Sequence, residues 1–236
     1  MLFAPEHDRS IAWRAGALTI LIGLMWLTAA VQSLLPAARF SMHGIIPRSS
    51  SGITGILVAP FIHADFQHLV SNTIPFAILG ALILLRGLNE LAIVFQIGIL
   101  VAGGGTWLFG APRSHHIGAS GLVFAFTGFL LFRSVFDRRI SSAVITLGVL
   151  VAYGGAIGLS ILPEEGISWS GHAFGFIGGV LAARFLYGGR RTAARPTGPK
   201  KLHLVRRDPN EPRSEVIEEE VGRWIRDLEK KEPPPS

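Results

Sequence analysis

Ser120 stands between Gly118 and Gly121, where the polar loop Pro112-Arg113-Ser114-His115-His116 gives way to an apolar run from Leu122 to Phe132. A hydroxyl at the start of a helix suits a nucleophile. The backbone N–H groups there have no intrahelical partner and can stabilise an oxyanion. The glycines allow close backbone approach. Alone, the pattern equally describes small-x-x-small packing of membrane helices. Two further polar sites, His68 with Asn72 and His172, give it a chemical reading. A neutral histidine is the commonest general base near neutral pH. His172 could take the Ser120 Oγ proton and later return a proton to a leaving amine. His68 and Asn72 are four apart, share one helix face and can each donate a hydrogen bond. With Gly118 and the Ser120 N–H, they could hold the oxyanion of a tetrahedral intermediate. The plainer alternative for each is a polar clamp between helices. His63 reads as a structural group that ties down the connection before His68. No acidic residue falls inside an apolar run near these groups, so the chemistry points to a Ser–His dyad and not a triad.

The elements that must position these groups are membrane helices. The 236-residue chain is 49% hydrophobic and only 16% charged, where a soluble domain carries about 25%. Its apolar residues fall in runs of roughly 20, the span of a bilayer core. Spans are expected at about 12–35, 66–85, 91–108, 119–135, 140–162 and 169–187. The fold class is therefore an all-α polytopic membrane protein, a bundle of six transmembrane helices with a flexible tail. The segment 53–62 is apolar but too short to cross, and should lie in the interface or pack on the bundle. Gly103-Gly104-Gly105 and Gly175-x-x-x-Gly179 should permit close helix contacts.

Arg9, Arg14, Arg86, Arg133, Arg138, Arg139, Arg190 and Arg191 all fall on one side of a six-helix path. The positive-inside rule puts that side, and both termini, in the cytoplasm. His68, Asn72, Ser120 and His172 then lie at one depth near the outer face, in a polar cavity that admits water. Residues 1–11 read as a cytoplasmic N-terminus, 12–187 as the membrane domain and 188–236 as a basic linker with an amphipathic tail. In that tail Val221, Trp224, Ile225 and Leu228 recur at helical spacing. The excess basic charge is explained by topology and does not indicate nucleic acid. There is no cysteine, which removes thiol nucleophiles and thiolate metal sites. A metal site or transporter built on His63, His68, His115, His116 and His172 is disfavoured by their spacing and by the lack of a carboxylate among them.

Gly118-Ala119-Ser120-Gly121, His172 with Gly175 and Gly179, and His63…His68-x-x-x-Asn72 occur in an order that resembles the rhomboid intramembrane serine proteases. Gly44-Ile45-Ile46-Pro47-Arg48 and Ala59-Pro60-Phe61-Ile62-His63 are also similar to bacterial members. The resemblance covers roughly residues 12–187. It implies a rhomboid-like six-helix core in a bacterial cytoplasmic membrane that cleaves single-span or polytopic membrane-protein substrates without a cofactor or metal. Ser120 would be the nucleophile and His172 the base. His68, Asn72 and the Ser120 N–H would bind the oxyanion, with Gly118 beside them. Many members carry a Trp-Arg pair in the first long loop, but here Arg48 follows Pro47 and the loop has no tryptophan. The competing reading is an inactive relative that binds membrane clients. Such relatives typically lose the serine or the histidine, and both are present here.

Overall fold

A computed structural model of the chain describes residues 6–160 and 168–188. The predicted loop at 163–166, the linker and the tail helix lie outside the described residues. Among the described residues six long α-helices and one short one follow in order: α1 (Glu6–Leu34), α2 (Gly55–Val58), α3 (Phe66–Leu84), α4 (Leu88–Phe109), α5 (Ser120–Asp137), α6 (Ile140–Ser160) and α7 (Trp169–Tyr187). Four of them, α1, α3, α4 and α5, are long and apolar enough to cross a bilayer. The chain is an integral membrane protein. α1 begins at Glu6, before the expected position 12, because hydropathy marks where a helix turns apolar and not where it starts.

α5 is the central helix. Every residue from 122 to 130 is buried, so its apolar character runs all round and not along one stripe. Phe126, Phe129 and Leu130 meet Phe76, Leu79 and Ile83 of α3 in the core. The most extensive helix pairing is α5 with α7, followed by α4 with α7. Small residues make it possible. A methyl group at Gly175 would lie 3.2 Å from the Gly121 Cα, and one at Gly179 would lie 2.6 Å from the Phe129 nitrogen. Without a hydrophobic drive between helices in lipid, such close backbone packing is what holds them.

The connection between α1 and α3 is a chain of short turns. Its α2 packs on α4, with Ile56 against Gly103. A tryptophan of α4 reaches the connection. Trp107 of α4 donates its indole N–H to the Ser49 carbonyl at 2.8 Å. Arg48 donates to the Leu108 and Gly110 carbonyls at 2.8 and 3.1 Å, at the end of α4, where a cation complements the helix dipole.

At the end of the bundle away from Ser120, Arg133 is only 2% exposed, so it does more than flank a span as a topology charge. It pairs with Asp137 at 3.4 Å and Glu90 at 3.9 Å and lies over the Tyr187 ring. Tyr187 donates to Glu90, Ser142 donates to Asp137, and Arg86 reaches Asp137. This network pins α4, α5, α6 and α7 together at that end.

Two glycine variants separate packing from propensity. Gly179→Ala should cost about 1–3 kcal/mol, because the methyl group meets backbone that cannot yield. Gly104→Ala, which has no atom within 4 Å, should be neutral or stabilising by up to about 1 kcal/mol. SDS titration of the purified protein in mild detergent measures both; equal effects would contradict this packing.

Candidate active site

Ser120 is the first residue of α5 and is half-buried. Its approach depends on Gly118, which has φ +103°, a conformation that side-chain-bearing residues rarely adopt. The Gly118 N–H donates to the Ala59 carbonyl at 2.9 Å, which ties this turn to the connection before α3.

α3 brings His68 and Asn72 to that turn. A Cβ placed on Gly118 would lie 2.6 Å from His68 Nε2 and 3.8 Å from Asn72 Nδ2. Asp65 caps α3 by accepting the His68 N–H at 2.7 Å. The Ala64 N–H donates to His68 Nδ1 at 3.4 Å. In the neutral ring that leaves the proton on Nε2, the atom that faces Gly118. Asn72 uses one amide proton on the His68 carbonyl at 2.8 Å, and its second amide proton is not engaged by that bond.

α7 supplies His172, which is buried. Its ring stacks on Phe124 with centroids 4.2 Å apart and planes 9° from parallel. Phe124 lies one turn after Ser120 on the same helix, so His172 packs against the helix face that carries the serine. The Gly171 carbonyl lies against Gly121. Sequence reading missed Phe124, although its four-residue offset from Ser120 is a usable signal.

His63 is buried, and its ring lies edge-on to His68 at 5.2 Å. The tie to α1 runs through its backbone, because Gln32 donates to the His63 carbonyl at 3.0 Å. The small cavity at Ser120 differs from the expected one. It holds about 40 Å³, room for about two or three waters. Its polar lining besides Ser120 is Thr106, His116 and Ser168, while His68, Asn72 and His172 lie outside it. Neither Thr106 nor the loop histidine carried a periodic signal that placed it there. Among the described residues no three histidine, aspartate or glutamate side chains converge as a metal site requires.

The Rhomboid domain family model matches residues 50–189. Uncharacterized proteins of Mycobacterium tuberculosis and Mycobacterium bovis are each 38% identical to the chain over 192 residues, which is 77% of this chain and 79% of theirs. One from Mycobacterium leprae is 39% identical over 194 residues, 77% of this chain and 75% of its own.

Burial, and secondarily the charge of the neighbouring His68, push the His63 imidazole down from 6.5 to about 4. Neither ring nitrogen makes a hydrogen bond of good geometry among the described residues, and only a weak contact with the Phe61 backbone opposes the shift. Burial also lowers His116, helped by His115. Between pH 6.5 and 4 the unfolded chain therefore binds more protons than the folded one. Stability should be full above about pH 6.5 and fall as the pH drops toward 4, with His63 contributing roughly 3 kcal/mol of the loss. Unfolding measured across this range for wild type and His63→Gln checks it: the variant should show the shallower slope, and identical slopes would contradict the assignment.

Proposed function

The chain belongs to the rhomboid family, and on that premise we propose that it is an intramembrane serine endopeptidase that hydrolyses peptide bonds in or near transmembrane segments of membrane proteins. One observation carries the reading. Three helices bring Ser120, the His172 ring stacked on Phe124, and the His68 and Asn72 donors at Gly118 to one end of the bundle.

In this reading His172 accepts the Ser120 Oγ proton as Oγ attacks the scissile carbonyl. The stacked Phe124 ring fixes the imidazole plane, and its face favours the imidazolium that forms. The oxyanion takes hydrogen bonds from His68 Nε2–H, the second Asn72 amide proton and the Ser120 N–H. The imidazolium then gives its proton to the leaving amine, and water hydrolyses the acyl-enzyme with His172 again as base. His63 acts through packing against His68. In this reading, which the basic flanks support, both termini are cytoplasmic and the site lies near the outer face of a bacterial cytoplasmic membrane. Residues 12–187 form the membrane domain in this reading, followed by a cytoplasmic tail.

Cleavage of a single-span model substrate by purified protein in liposomes tests the proposal. Wild type should cleave, and Ser120→Ala and His172→Ala should abolish cleavage. Asn72→Ala should lower kcat by about 10²- to 10³-fold, the typical loss on removing one oxyanion donor. Folded wild type that cleaves none of several substrates, or an active Ser120→Ala, would shift the reading to an inactive relative that binds membrane clients.

A further inference from the structure

His116 is held at every polar atom. Its backbone pairs with Ile45 in both directions at 2.9 Å, which joins the α4–α5 loop to the α1–α3 connection. Its ring spans two hydroxyls, with Nε2 2.7 Å from Ser114 Oγ and Nδ1 2.7 Å from Ser168 Oγ. Ser168 is the N-cap of α7: its Oγ accepts the Gly171 N–H, and its carbonyl accepts the His172 N–H at 3.1 Å. His172 thus lies in the turn that Ser168 caps.

The direction of these bonds follows from proton counting. Ser114 donates its single hydroxyl proton to the Ala111 carbonyl at 2.6 Å, so toward His116 it can only accept. His116 Nε2 therefore carries the ring proton and donates. In the neutral ring Nδ1 is then a bare acceptor, and Ser168 Oγ–H donates to it. The result is one chain of donors running from Gly171 N–H through Ser168, His116 and Ser114 to the Ala111 carbonyl. Every member is satisfied in a single arrangement, and the chain bridges the first turn of α7 to the loop that leads into Ser120. A phenylalanine would fill the space and keep none of it. The low proton affinity that burial gives His116 keeps the ring neutral at pH 7, as the chain requires.

We propose that His116 is a positioning residue: through Ser168 it fixes the first turn of α7, and with it His172, against the loop that presents Ser120. The inference rests on the assignment of Ser120 and His172 as nucleophile and base. His116 does not touch the reacting atoms. It borders the same small cavity as Ser120 and acts through the helix cap.

Single-turnover and steady-state cleavage of the model substrate test this in the full chain, with thermal stability measured alongside. His116→Phe and Ser168→Ala should each lower kcat about 10- to 100-fold, the scale of a small misplacement of a catalytic group, with KM within about threefold of wild type. Because they break one chain, the double variant should be no slower than the worse single variant. Ser168→Thr, which keeps the hydroxyl, should recover most of the rate. His116→Asn, which keeps an acceptor at the Nδ1 position, should recover more than His116→Phe. If His116→Phe does not fold, the Ser168→Ala and Ser168→Thr pair decides alone. Active wild type and dead Ser120→Ala, combined with a kcat for Ser168→Ala within twofold of wild type or multiplicative losses in the double variant, would overturn the positioning role. Inactive wild type, or an active Ser120→Ala, would instead overturn the protease assignment on which it rests.

Discussion

The close approach of α5 and α7 is the constraint on which the site depends. In a bilayer, apolar side chains gain little by leaving lipid for one another, so helices associate through shape. Gly121 and Gly128 on α5 and Gly175 and Gly179 on α7 remove the side chains that would hold the backbones apart. This contact brings α7 near enough for His172 to stack on Phe124. The Arg133–Asp137–Glu90–Tyr187 network secures the same helices at the other end of the bundle. A buried arginine is costly unless paired, so its partners are as necessary as the charge itself.

α5 carries Ser120, α7 carries His172, and α3 supplies His68 and Asn72. Gly118, in a backbone conformation that favours glycine, turns the chain so that His68 and Asn72 face the peptide unit before Ser120. Hydrogen bonds to neighbouring backbone hold both side chains in place. Prepositioned donors of this kind need no reorganisation as charge develops, which is where electrostatic stabilisation is most effective.

Much of this was readable from residue types. Hydropathy and breakers located the long helices, and α7 runs from Trp169 to Tyr187 as expected. The 175/179 glycine spacing pointed to a partner helix, and the four-residue spacing of His68 and Asn72 to a shared face. What could not be read depends on contacts between loops, which have no period. Ser168 and His116 are 52 residues apart and meet only because the fold closes. Trp107 and Ser49 are likewise far apart in the sequence, and no local pattern reveals that the indole anchors the connection. Arg133 resembles a flanking charge in the sequence because, beyond Asp137 one turn on, the groups that enclose it, Glu90 and Tyr187, lie on other helices. The cavity beside Ser120 is lined by Thr106 and Ser168 for the same reason.

The central claim is that His172 activates Ser120, and it can be tested without knowing a natural substrate. Purified protein would be treated with a fluorophosphonate serine probe, and the adduct located by intact mass and peptide mapping. If His172 is the base, one adduct should form on Ser120, at least about 10²-fold more slowly in His172→Ala. An adduct on another serine, or labelling of Ser120 at the same rate without His172, would contradict it.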